Sequence, residues 1–504
     1  MGFDGFDIGK IRALAKDLGR QGEGARGLHT SVAVVLTQAN ALMGSKPATT
    51  DPLLSPLVGD LLGPLPFFGG GNLPGSLDSE LGDMSKSIER RCTQLEACNK
   101  LTEQGYRIDP VVAFSDEKPP DAQKIEDALR AVSGLKGKDF GSNGNRDDLE
   151  KVQKQLDGMT SAELDAFFAK VPDADFRLYG KLASNENDGS WLKWWDHNGI
   201  PESARRDHLS RLLARIGPSN WEKLKGAFPE VQPGFDTTDA WLDGQNAQSG
   251  QQAKGMHWGT PTDPLFAPGR ELTAGEISQG RFGDCWYISQ LTATAQRNPQ
   301  FIREGIKENP NGTIDVRIWD KDGNNHWVTV TPDLPMDENG EPMTAYNRVS
   351  HERWPAYYEK AFALMYGEDD GGAPDGHEGD KRYDRAERGN YGATEWDFPK
   401  NGAPYVTGNG SESIDDDFES AKKAFQTEQR PVVVSTPSGE QLQKEGNALW
   451  GNTFSTRHVY YVKGFEDGKI VLGNPWGPSF SDIKATPEQY EKFFNDPQAL
   501  KVPR

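Results

Sequence analysis

Cysteine is scarce: the 504 residues hold three, Cys92, Cys98 and Cys285. So few exclude the disulfide framework that holds small secreted domains together. Long apolar runs are missing as well. No stretch reaches the length of a membrane span, and residues 1–30 lack the charged-then-apolar pattern of a cleaved signal peptide. The expected location is cytoplasmic, or outside by a route without such a signal. Excess positive charge is absent too. The 56 Lys and Arg against 76 Asp and Glu leave a net charge of -20, which repels phosphate backbones and argues against nucleic acid as a partner. Glycine and proline are plentiful, at 56 and 33 residues, beside 13 Trp and 23 Phe. That mixture predicts cores joined by loops, and the length predicts two to four domains.

Residues 7–43 place Ile8, Ile11, Leu14 and Leu18, then Leu28, Val32, Val35, Ala39 and Leu42 at helical spacing, weakened between Gly19 and Gly27. Residues 45–78 are rich in Pro and Gly and predict a loop. Leu81, Met84, Ile88, Cys92, Leu95, Cys98 and Leu101 then predict a second long helix, with Cys92 and Cys98 on different faces. This helical hairpin, residues 1–110, is similar in layout to modules at the front of proteins exported by type VII systems of Gram-positive bacteria. It is expected to serve export or homo-oligomerisation. Residues 120–230 read as all-helical, with a capping box at Thr160-Ser161-Ala162-Glu163 and a core cluster of Trp191, Trp194, Trp195 and Trp221. They resemble helical modules ahead of bacterial effector domains. Residues 231–260, with the polar run Gln245 to Gln252, predict a linker.

Beyond residue 260 the chemistry concentrates. Gln279-Gly280-Arg281-Phe282-Gly283-Asp284-Cys285-Trp286 reads as a turn that delivers a cysteine onto the first turn of a helix, with Asp284 as its N-cap. A helix N-terminus favours thiolate over thiol. These residues alone leave open that Cys285 is a small buried hydrophobe. Far along the chain, His458 to Phe465 and Lys469 to Asn474 flank an Asp467-Gly468 turn and predict an antiparallel hairpin. Its length brings His458 and Asn474 to the same end, where the asparagine can fix the imidazole and Trp476 can cover their bond.

These motifs resemble those of the calpain family of papain-like cysteine proteases. The likeness rests on Gln279, Gly283-Asp284-Cys285-Trp286, His458 and Asn474-Pro475-Trp476-Gly477. It extends to Asp263-Pro264-Leu265-Phe266, to the strand from Trp327 to Leu334, and to the helix Arg353 to Ala361. It covers about residues 260–504. The resemblance implies an α+β fold with a papain-like, two-lobed protease core over 261–504, the Cys lobe at 261–405 and the His/Asn lobe at 406–504. It implies a cysteine endopeptidase acting on a protein or peptide. Cys285 would be the nucleophile, His458 the acid/base and Asn474 its orienter, with Gln279 and the Cys285 N–H in the oxyanion hole. Gly283, Trp286 and Trp476 would border the substrate. Ion pairing would lower the thiol from about 8.5 to roughly 3.5–7.5. No cofactor is required, and no metal ligand set is assigned. Calcium is left open, with Glu276 and the acidic loop Glu368 to Asp380 as its candidates. Three further readings stay open: transglutaminase-like acyl transfer, an inactive protease fold used for interaction, and self-processing in the 229–262 stretch.

Overall fold

The computed structural model describes residues 8–23, 73–113, 118–138, 145–184, 199–234, 256–367 and 388–502. The chain divides into two compact units, Met1–Phe228 and Pro229–Arg504.

The described part of the first unit is helical. It comprises α1 (Ile8–Glu23), α2 (Leu73–Glu103), α3 (Ala122–Ser133), α4 (Asn145–Asp157), α5 (Ser161–Lys170), α6 (Asp173–Ala183), α7 (Glu202–Leu213) and α8 (Trp221–Ala227). Ala15 and Leu18 of α1 bury against Leu81, Ile88 and Cys92 of α2. The predicted continuation of α1 through Leu28 to Leu42 lies outside the described residues. α2 starts at Leu73, inside the stretch expected as loop, because Pro74 is tolerated in a helix's first turn. Cys98 packs elsewhere, against Ala113 and Ala162, and both cysteines of α2 are free thiols. That contact joins α2 to the following helices, so residues 1–110 and 120–230 share one unit.

The capping box at α5 is formed: Glu163 N–H donates to Thr160 Oγ1 at 3.2 Å, and Thr160 N–H to Glu163 Oε2 at 2.8 Å. Of the expected tryptophan cluster, only Trp221 falls among the described residues. Trp191, Trp194 and Trp195 lie outside the described residues, and Trp221 is only half-buried at the start of α8. Phe167, Phe168, Phe176, Tyr179 and Phe228 form the core instead, with Phe168 and Phe176 edge to face at 4.9 Å. Within it, fully buried His208 bonds Asp157 at 2.8 Å and the Tyr179 hydroxyl at 3.2 Å.

The second unit mixes helices with antiparallel sheets. Its helices are α9 (Cys285–Arg297), α10 (Pro299–Glu304), α11 (Trp354–Met365), α12 (Pro399–Thr407), α13 (Phe418–Lys422), α14 (Glu440–Trp450) and α15 (Pro487–Phe493). Its first strands are β1 (His257–Gly259), β2 (Ile277–Ser278), β3 (Ile306–Glu308), β4 (Ile314–Trp319), β5 (Asn325–Val330), β6 (Leu334–Met336) and β7 (Tyr346–Asn347). Then come β8 (Ser411–Ser413), β9 (Val432–Ser435), β10 (Val459–Glu466), β11 (Lys469–Gly473), β12 (Ile483–Ala485) and β13 (Asn495–Leu500). Six of these make one sheet in the order β12-β11-β10-β9-β13-β8.

At both ends of the stretch expected as a linker the chain is built into this unit. Gly234 N–H donates to Gly389 O at 2.8 Å and Gly234 O accepts from Tyr391 N–H at 3.1 Å, while β1 pairs with β6. Gln245 to Gln252 lie outside the described residues. α12 is closed at Thr407 by left-handed Gly408.

The six-stranded sheet is buried on both faces, and strand periodicity sorts its side chains. Val433, Val459 and Tyr461 pack with α9 and α11, whereas Val432, Val434, Tyr460 and Val462 pack with Phe418, Tyr490, Phe493 and Phe494. α9 is buried nearly all round, from Cys285 to Ala295, because other elements enclose it, and its buried Ser289 and Gln290 are hydrogen-bonded. Tyr287 stacks on Phe362 of α11 at 3.7 Å, and the Ser289 hydroxyl donates to Val459 O at 2.8 Å. Replacing Phe362 with alanine should therefore cost about 3–5 kcal/mol. Urea denaturation followed by tryptophan fluorescence would measure it, and a loss near zero would mean α9 does not depend on this stack.

Candidate active site

The turn ahead of α9 is held by backbone contacts. Gly280 is left-handed, at φ 87°, and a Cβ there would lie 2.3 Å from Met343 O, so only glycine fits. Arg281 N–H donates to that same Met343 O at 2.7 Å. Asp284 occupies the N-cap position but does not cap. Its side chain is fully buried, with the Gln279 amide close by but no well-formed hydrogen bond to either oxygen. Burial pushes this carboxyl well above the usual range, and nearby Glu395 pushes it the same way. Buried Glu359 is also raised, by burial and then by Asp284. Nothing in the residue pattern signals this pair, because Glu359 comes from α11.

The predicted hairpin forms with Asp467 and Gly468 both left-handed, at φ 49° and 73°, as a two-residue turn requires. Thr436 pins the backbone of His458: its Oγ1 accepts from His458 N–H at 3.0 Å, and its N–H donates to His458 O at 2.9 Å. Asn474 Oδ1 lies 3.0 Å from His458 Nε2. The asparagine amide cannot be turned over, because Oδ1 also accepts from Trp476 N–H at 2.9 Å while Nδ2 donates to Thr453 O at 3.0 Å. An oxygen that only accepts requires a proton on Nε2, which leaves Nδ1 as the imidazole's free lone pair. Trp476 lies over the ring at 4.5 Å, and Tyr460 meets it edge-on at 4.9 Å.

Cys285 and His458 line one cleft of about 260 Å³, together with Gly283 and Trp286. Trp286 is mostly core: it is 1% exposed and donates Nε1–H to Thr394 O at 2.9 Å. Gln279 and Asn474 sit behind the cleft. Gln279 N–H donates to Pro475 O at 2.7 Å, and its side-chain amide donates one N–H to Phe282 O at 2.6 Å, leaving a second. The remaining cleft residues include Trp396, Asp397, Phe398, Arg457 and Asp496, which the motifs did not indicate.

The electrostatics correct one expectation. Burial pushes the Cys285 thiol up to about 12, against the pull of the Val459 N–H and the first helical N–H groups. Burial pushes His458 down to about 4, only partly offset by Asn474. Enclosure outweighs the helix terminus, so the resting pair is neutral. For calcium, the described residues contain no grouping of three acidic, His or Cys side chains able to hold an ion. Glu276 faces Arg270 at 3.2 Å, a cation's place being taken by a guanidinium, and Glu368 to Asp380 lie outside the described residues.

Two outcomes follow from these pKa directions. Alkylation of Cys285 by iodoacetamide should rise steadily from about pH 6 to about pH 10, since thiolate accumulates only as the raised pKa is approached. Mass spectrometry would follow it, and a plateau across the acidic range would mean a pre-formed ion pair. A carboxyl raised by folding costs stability as pH climbs above its unfolded value. Asp284→Asn should therefore raise the melting temperature at alkaline pH and change it little near the unfolded carboxyl pKa. An equal shift at both would contradict the buried acid.

Comparison with known proteins agrees with this geometry in class. The family described as calpain family cysteine protease matches residues 232–370, which include Gln279 and Cys285 but stop short of His458. That match starts inside the stretch expected as linker. Calpain-13 of Rattus norvegicus is 27% identical over 259 residues, covering 46% of this chain and 34% of its own length. The calpain-type cysteine protease DEK1 of Zea mays is 24% identical over 223 residues, covering 41% of this chain and 9% of its own length. Calpain-5 of Caenorhabditis elegans is 29% identical over 175 residues, covering 31% and 26%. The chain thus spans about a third or less of the length of these curated relatives. Together with the cleft, these matches identify a calpain family cysteine protease domain around residues 232–370.

Proposed function

We propose that this chain is a cysteine endopeptidase that hydrolyses peptide bonds at the cleft holding Cys285 and His458. The observation that carries the reading is the locked Asn474 amide, which leaves His458 Nδ1 free to accept a proton. Because the resting pair is neutral, His458 takes the thiol proton as Sγ attacks the peptide carbonyl. The carbonyl oxygen gathers negative charge, received by the Cys285 N–H and the second N–H of Gln279. As the tetrahedral intermediate collapses, His458 returns the proton to the leaving amine, and an acyl-enzyme remains on Sγ. Water, deprotonated by His458, then releases the acid and restores the thiol. Burial of the site strengthens each of these charge interactions.

The test is hydrolysis of denatured casein and of peptide mixtures by the full chain, with products identified by mass spectrometry. Cys285→Ala should abolish cleavage, and His458→Ala should lower kcat/KM by about 10²–10⁴. Gln279→Ala should cost about 2.7–4 kcal/mol of transition-state stabilisation. Cleavage that survives Cys285→Ala would overturn the proposal, as would transfer of the acyl group to added amines in place of water.

A further inference from the structure

Six described residues other than glycine have left-handed backbone: His351, Trp396, Gln429, Arg457, Asp467 and Asp496. Asp467 belongs to the hairpin turn. Three of the others, Trp396, Arg457 and Asp496, line the same cleft as Cys285 and His458. A side chain at such a position costs stability that glycine would not, and strain of this kind collects where a binding surface needs a group held in place.

What these positions present differs. Trp396 is half-buried, and its N–H donates to Gly283 O at 3.2 Å. Asp496 is half-buried, and its carboxylate accepts from Gln498 Nε2 at 2.7 Å. Neighbouring Asp397 accepts from Phe398 N–H at 2.6 Å, from Asn401 Nδ2 at 2.7 Å and from the Tyr366 hydroxyl. Both carboxylates facing the cleft are thus engaged by donors. Arg457 is exposed, and among the described residues no carboxylate pairs with its guanidinium. Its backbone is tied to Thr436, the residue that pins His458, through a 3.2 Å bond from Arg457 N–H. In a chain of net charge -20, Arg457 places a cation beside the proposed base.

We propose that Arg457 is a specificity-determining residue that selects peptides carrying an acidic side chain next to the bond attacked by Cys285. Consecutive Cα atoms lie about 3.8 Å apart, so a long side chain on the residue before His458 reaches the neighbours of an acyl group on Sγ. Arginine presents a planar fork that matches a carboxylate in two hydrogen bonds. The inference rests on the peptidase reading for its biological meaning, yet it can be read separately from turnover.

The experiment uses peptidyl epoxides of one sequence bearing Asp, Asn or Lys at each of the two positions nearest the reactive group. Labelling of Cys285 is followed by mass spectrometry in the full chain, in Arg457→Asn and in Arg457→Glu. Asparagine tolerates the left-handed backbone, so the neutral variant preserves the loop. The wild type should label with the Asp probe roughly five times faster than with the Asn probe, the range of a partly exposed ion pair. That ratio should fall to about one in Arg457→Asn, invert in Arg457→Glu, and shrink at high salt. Equal wild-type rates at both positions, or a ratio unchanged in Arg457→Asn, would overturn the assignment. A labelling preference without hydrolysis of the matching peptides would overturn the peptidase reading and leave Arg457 in place. Hydrolysis without acidic preference would do the reverse, and failure of every probe to label Cys285 would overturn both.

Discussion

The seam between α9 and β10 is the constraint on which the second unit depends. α9 carries Cys285 at its first residue, and β10 begins one residue after His458, so whatever holds helix to strand sets the relation of the two groups. Two side-chain hydrogen bonds do this directly: the Ser289 hydroxyl donates to Val459 O, and Gln296 Nε2 donates to Lys463 O. Around them, Val433, Val459 and Tyr461 press one sheet face onto the aromatic layer of α9 and α11. Small residues matter here for what they leave out. A Cβ on Gly477 would fall 2.2 Å from Ser278 Oγ, so the turn after Asn474 closes on β2 only as glycine.

The same enclosure sets the chemistry. A thiol at a helix start is favoured as thiolate when solvent reaches it, but here burial dominates both partners and holds them neutral. Behind the nucleophile, Asp284 and Glu359 add buried carboxyls that hold protons more readily than ordinary acids. That region thereby avoids two bare negative charges.

Much of the local structure was legible in the residues. Asp467-Gly468 between apolar runs announces a two-residue hairpin, and its length puts His458 and Asn474 at one end. Thr160 with Glu163 and Thr486 with Gln489 announce their caps. What was not legible depends on contacts distant in the chain. Asp284 looks like an N-cap until α11 and the segment holding Glu395 enclose it. Trp221 looks like core until Phe176 and Phe228 fill that space. The left-handed backbone of Trp396, Arg457 and Asp496 has no signature in residue type, because glycine or asparagine would be the expected choice. Likewise the segment around Gly234 reads as linker, and only its parallel bridge to Asn390 builds it into the unit.

The Ser289–Val459 bond joins residues 170 positions apart. A ribosome adding about 5–20 residues per second needs on the order of ten seconds or more to cover that interval. Throughout it the emerging Cys285 has neither the imidazole nor the sheet face that encloses it. The nascent chain therefore exposes an ordinary thiol with no imidazole beside it, and the cleft holding Cys285 and His458 arises only when β10 and β11 have been made and docked. Separation along the chain thus acts as a timer for the assembly of that cleft.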